Sequence, residues 1–180
     1  MREVRGAPRE TTVETRDALV VIQTLVNAQE EAMGRAFVKI KDRFDAREIS
    51  SIYLKYLEQP RHQNSQGTLS CAVRIGTELL PYELNSTLRF LEGDLSTGVQ
   101  LHLVMFEEEA ILTAELTLPH PELHLNLDWL VPCAEIWRHW SHPVLKRSLP
   151  DIAMESSNVA WGEFHAQGKV LLDFYFKHKK

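Results

Sequence analysis

Hydrophobic positions fall into blocks of changing period along this chain, beginning with a continuous apolar run at Leu19–Ile22. A run this short, without a helical stripe, predicts a buried strand. Met33, Ala36, Phe37, Ile40 and Phe44 then recur at spacings that share one helical face. Ile49–Leu57 is rich in β-branched and aromatic residues and gives way to a polar, turn-rich stretch from Gln59 to Gly67, as a second strand and its loop would. Thr68–Ile75 predicts a third strand, closed by Gly76. Pro81, whose backbone angle is pre-set for a first helical position, opens a second helix that turns Leu84, Leu88 and Leu91 inward.

From Gly98 the pattern switches to alternation. Val99, Leu101, Leu103 and Met105 point one way, and Gln100, His102, Val104 and Phe106 the other. The order strand, helix, strand, strand, helix, strand predicts a ferredoxin-like α+β core, βαββαβ, whose antiparallel sheet carries helices on one face. Beyond it, Glu107–Glu109 reads as a solvated turn before a short partner strand at Ala110–Thr113. Leu127–Trp137 predicts an additional helix, with Pro132 kinking it or sitting in its first turn. Val159–His165 and Lys169–Lys177 predict a C-terminal β-hairpin around Ala166–Gly168. Residues 1–17 lack an apolar period and are expected to be a flexible leader. That leaves 18–180 as a single domain, with 150–180 as its hairpin extension.

The chain's 180 residues are enough for one domain with a substantial core. A formal net charge of -5, with Lys177, Lys179 and Lys180 as the basic cluster, argues against a nucleic-acid partner. No apolar run reaches bilayer length and no signal-like segment opens the sequence, so no membrane partner and a cytoplasmic location are expected. Cys71 and Cys133 lie far apart, outside any Cys-x-x-Cys spacing, and are expected to be buried, reduced thiols. The common glycine-rich, nucleophile-elbow and His-Glu-x-x-His templates do not occur.

Three stretches carry a resemblance. Ile49-Ser50-Ser51-Ile52-Tyr53 resembles a strand ending in Ser-Ser-x-Tyr. Leu69-Ser70-Cys71-Ala72-Val73, continuing through Thr77 to Leu80-Pro81-Tyr82-Glu83-Leu84, is similar to the strand and helix that follow it. The most specific piece is Leu116-Thr117-Leu118-Pro119-His120-Pro121, then Leu130-Val131-Pro132-Cys133-Ala134-Glu135-Ile136 and His142-Pro143-Val144-Leu145. Order and spacing resemble the 6-hydroxymethyl-7,8-dihydropterin pyrophosphokinases of folate biosynthesis from about Leu19 to Leu149. The hairpin segment after Pro150 has no counterpart in that pattern.

The resemblance implies transfer of a pyrophosphoryl group from ATP to a pterin hydroxymethyl oxygen, with two Mg²⁺ ions held by an Asp-x-Asp pair on the fourth strand. Carboxylates at i and i+2 share one strand face and can hold hard cations together. Here Gln100 and His102 stand at those positions. The Arg-rich loop that closes over the triphosphate in the family is reduced to Glu92–Thr97. The family's Gly-Ser-Asn corresponds to Gln23-Thr24-Leu25, its pterin-binding Asn to Ser70, and an Arg and an aromatic to Asn126 and Asp128. His120 is retained as a nucleotide-contact candidate. Tyr53 and Trp129 are candidates to stack on a ring, which with Ser70 and Asn126 completes the substrate-binding set.

Two further constellations stand out in the sequence. His120 and His124 are four apart, and His139 and His142 three apart, which together with His102 invites a zinc or copper site. Pro119 and Pro121 flank His120 and oppose the helix such spacing needs, so a His-rich surface loop is the simpler account. Trp129, Trp137 and Trp140 read either as a stacking platform or as packing. The leading expectation is a pyrophosphokinase-like pseudoenzyme: a binding or interaction module with no cofactor, meeting a protein partner or a second copy through the C-terminal hairpin. The alternative is an active pterin pyrophosphokinase using Mg²⁺ and ATP. A third reading is an unrelated metal-dependent activity at His102 and His120.

Overall fold

The apolar run at Leu19–Ile22 lies at the centre of β1 (Arg16–Thr24) in the computed structural model, which describes residues 14–25, 30–57, 66–95, 98–156 and 161–177. Most of the expected leader, residues 58–65 of the polar loop and the last two lysines lie outside the described residues. Strand pairing begins at Arg16, ahead of the expected boundary at residue 18. Along β1, Ala18, Val20 and Ile22 enter one core while Leu19 and Val21 enter another. The run is continuous because the strand is covered on both faces.

The remaining elements are α1 (Glu30–Arg43), β2 (Asp45–Ile49), β3 (Ser51–Tyr56), β4 (Gly67–Thr77), α2 (Pro81–Asp94), β5 (Val99–Phe106), β6 (Ile111–Leu112), β7 (Thr117–Leu118), α3 (Leu127–Ile136), β8 (Ser141–His142), β9 (Arg147–Ser148), α4 (Leu149–Glu155), β10 (Glu163–Gln167) and α5 (Gly168–Lys177). The main sheet runs β10-β3-β4-β1-β5, antiparallel throughout, and its inner order is that of the ferredoxin-like core. The strand expected over Ile49–Leu57 is β3, and Ser50 separates it from an additional strand, β2, that ends at Ile49; both pair with β4. The Ser50 N–H donates to the Ala72 carbonyl at 2.9 Å and its hydroxyl accepts the Ala72 N–H at 2.8 Å, so both Ala72 backbone groups are answered at the break.

Helices cover both faces of the sheet, which corrects the one-face expectation. Met33, Phe37 and Ile40 of α1 and Leu84 and Leu88 of α2 pack on Val20, Ile22, Cys71 and Leu101. On the opposite face α3 and α4 set Trp129, Leu130, Cys133, Trp137 and Ile152 against Leu19, Val21, Ala72 and Val104. The strict alternation expected in β5 also fails. A register shift at Leu19/Val20 marks a bulge, and Val104 and Met105 both face the α3 layer. The short strand after the acidic turn, β6, pairs with β7 rather than with β5. Pro132 lies inside α3, beyond its first turn.

The expected C-terminal hairpin does not form. Its first arm is β10, which pairs with β3, and its second arm is the helix α5, which packs on α1. Leu171 and Tyr175 are two alternations apart on a strand and one turn apart on a helix, so spacing alone could not separate the two. Both face the α1 core. Gly34 makes room for α5: a Cβ there would overlap the Tyr175 ring. Among the described residues no helix is long and apolar enough to cross a membrane.

Candidate functional site

On the α3 face, one end of the sheet is polar where the rest is apolar. Gln23 of β1 lies directly between Ser70 of β4 and Gln100 of β5, and Tyr53 of β3 extends the row beside Ser70. His102 stands one pleat repeat further along β5, opposite Val21. The N-terminal end of α3 is set over this row. Asn126 caps the helix by accepting the Asp128 N–H at 3.1 Å, and Trp129 donates its indole N–H to the Gln23 side-chain oxygen at 3.2 Å.

The segment before α3 is fixed to β5 by the His120 N–H, which donates to the Val104 carbonyl at 2.8 Å. This brings three rings together. Trp129 lies 4.3 Å from His102 and 4.9 Å from His120 by ring centroids, and the two imidazoles are 6.2 Å apart. His120 Nδ1 accepts the Glu122 N–H at 3.2 Å, which leaves the proton of the neutral ring on Nε2. His102 Nε2 is buried without a hydrogen-bond partner. Burial, followed by the charge of Arg89 and by His120, lowers the His102 pKa to about 4. Burial lowers His120 as well, against an opposing pull from Glu122. Both imidazoles are therefore neutral at neutral pH.

Of the candidates named from sequence, Ser70, Gln100, His102, His120 and Trp129 converge here. Asn126 acts as a helix cap. Tyr53 is adjacent but engaged: its hydroxyl donates to Glu135 at 3.2 Å, and its ring lies 5.2 Å from Trp161. Burial and the Glu135 charge raise its phenol pKa to about 12. Glu135 also accepts the Ser51 N–H and hydroxyl, which pins α3 to β3. The three tryptophans do not form one platform, since Trp137 and Trp140 pair with each other, 5.1 Å apart, in the α3 layer. His124 pairs with His142 at 5.9 Å and not with His120.

Sequence spacing gave no sign of the ion pair beside this row. Lys55 of β3 donates to Asp128 Oδ2 at 3.0 Å, and Asp128 is only 3% exposed. No group of three or more histidine, cysteine or acidic side chains capable of holding a metal occurs among the described residues. An amide at 100 and a neutral imidazole at 102 do not suit a pair of Mg²⁺ ions, which prefer charged oxygen ligands.

No protein-family profile matches the chain. It is 31% identical over 97 residues to the 2-amino-4-hydroxy-6-hydroxymethyldihydropteridine pyrophosphokinase of Bacillus subtilis, a match spanning 49% of this chain and 57% of that one. The protein of the same name from Aquifex aeolicus is 22% identical over 132 residues, covering 68% of this chain and 81% of its own. Among solved structures, Plasmodium falciparum HPPK-DHPS with pteroate superposes with a TM-score of 0.66 at 10% identity, over 79% of this chain and 42% of that one. That likeness establishes the fold.

Proposed function

We propose that this chain, a divergent member of the 2-amino-4-hydroxy-6-hydroxymethyldihydropteridine pyrophosphokinase family, binds a pterin over the polar row beneath α3 and transfers pyrophosphate from ATP to its hydroxymethyl oxygen. The observation that carries the proposal is the row itself: Ser70, Gln23 and Gln100 side by side in the sheet, under Trp129. Hydroxyl and amide groups both donate and accept, which suits the edge of a heterocycle. The reaction asks the protein for positioning and charge neutralisation, with no covalent bond to it. The residues at 100 and 102 do not fit Mg²⁺.

That misfit favours a second reading, a pterin-binding protein without transfer activity. Gln100 and His102 lack the carboxylate charge needed to hold the Mg²⁺ ions that would offset a triphosphate, and only a short connection joins α2 to β5. One assay separates the readings: AMP release from ATP with 6-hydroxymethyl-7,8-dihydropterin and Mg²⁺, alongside calorimetric pterin binding. Pterin-dependent AMP supports transfer. Binding without AMP supports the second reading, and neither signal would overturn both.

A further inference from the structure

Asp128 carries an unanswered acceptor. Its Oδ2 takes the Lys55 ammonium at 3.0 Å, while its Oδ1 is buried and has no hydrogen-bond partner. The position near the start of α3 accounts for a negative charge there, because the helix dipole favours it. It does not account for the open oxygen. A buried carboxylate oxygen without a donor is costly, and folded proteins seldom leave one unless something else supplies the proton. Lys55 is 41% exposed at its side chain, so the ion pair meets solvent on the lysine side.

Asp128 Oδ1, Asp128 Oδ2 and Lys55 Nζ present acceptor, acceptor and donor in that order. The complement is a planar ring edge reading donor, donor, acceptor, which is the 2-amino-4-oxo-pyrimidine edge: exocyclic amino group, ring N–H and carbonyl. We propose that Asp128 and Lys55 are the specificity-determining pair of the pterin site proposed above and select a heterocycle with that edge, Asp128 taking the two N–H groups and Lys55 the carbonyl. The inference rests on the reading that a pterin-type ring lies over the polar row. Its consequence is different, because recognition passes from the aromatic that the family resemblance implies at position 128 to a charged pair. Pterin and guanine share the edge; the neighbouring Trp129 ring and the Gln23 amide bear on whatever lies beyond it.

The test is isothermal titration of the full chain with 6-hydroxymethylpterin, with guanosine, and with 6-hydroxymethyllumazine, in which the 2-amino donor is replaced by a carbonyl. Wild type is expected to bind the pterin about tenfold to a hundredfold more tightly than the lumazine, the range of a hydrogen bond to a charged group. Asp128→Asn should abolish that preference. Lys55→Gln should weaken both ligands alike and leave their ratio intact, since both keep the carbonyl. Guanosine binding in place of the pterin would identify a nucleoside as the occupant, with the same dependence on Asp128. Equal affinity of wild type for pterin and lumazine, or an unchanged preference in Asp128→Asn, would overturn the role of Asp128 and leave the proposed pterin site standing. If neither pterin, lumazine nor guanosine binds wild type, the pocket reading falls and takes this inference with it. Should Asp128→Asn not fold, the wild-type ratio and Lys55→Gln still decide.

Discussion

Trp129 holds the first turn of α3 to the sheet by donating its indole N–H to the Gln23 side chain at 3.2 Å, while its ring covers His102. The two contacts differ in kind and can be separated. Trp129→Phe keeps most of the ring packing and removes the donor, and should lower unfolding stability by about 1 kcal/mol. Trp129→Ala removes both and should lower it by about 3–5 kcal/mol. Urea unfolding of the two variants checks this; equal losses would mean that the ring packing contributes little.

Gly34 and Tyr175 form a second joint. Glycine inside a helix costs about 1 kcal/mol relative to alanine, so Gly34→Ala would be stabilising on propensity alone. Because the new methyl would overlap the Tyr175 ring, the substitution is expected to destabilise instead, by about 1–3 kcal/mol. Tyr175→Ala in the same chain should reverse the sign of the Gly34→Ala effect. A double-mutant cycle by thermal unfolding measures the coupling, and an absent coupling would show that α5 does not rest on α1.

Acid should weaken the fold through His102. An unfolded histidine titrates near about pH 6.5, whereas the folded side chain does so at about 4. Between those values the unfolded chain binds a proton that the folded chain does not, so stability rises with pH across this window and levels off above it. His120 and His142, both lowered by burial, act in the same direction. Urea midpoints measured at about pH 7 and about pH 5 should differ more in wild type than in His102→Gln. Identical pH slopes would exclude His102 as a source.

Gln100→Asp with His102→Asp places two carboxylates on one face of β5, as the family pattern has them. Mg²⁺-dependent AMP release should then rise by about tenfold or more over the parent chain, since charged oxygen ligands at i and i+2 can share hard cations. No rise, in a double variant that still binds pterin, would mean that the short α2–β5 connection limits the reaction instead.

The sheet was legible because its strands announce themselves by local pattern, from the apolar run of β1 to the alternation of β5. The second helical layer was not, because nothing in the spacing of Trp129, Leu130 and Cys133 says which face of a sheet they meet. Candidate residues at 70, 100, 102 and 120 came from the resemblance in the order of motifs, and the pairing of strands brought them together. Lys55 with Asp128, Glu135 with Tyr53, and Trp161 over Tyr53 depend on register between distant segments. Local periodicity carries no such information. At the C-terminus the opposite problem arose: Leu171 and Tyr175 fit two periods equally well, and packing against Gly34 decided between them.

β1 precedes both of the strands that flank it in the interior of the sheet, with Ile22 opposite Cys71 on one side and Leu101 on the other. During synthesis its apolar residues therefore emerge long before either neighbour exists, and the last of them is not satisfied until β5 has left the ribosome. Over that interval Leu19–Ile22 is an exposed, uncharged segment of high strand propensity, the kind that nascent chains lose to aggregation. The flanking Arg16 and Asp17 put charge at its near end. The order in which these strands are made thus leaves β1 waiting for both of its neighbours.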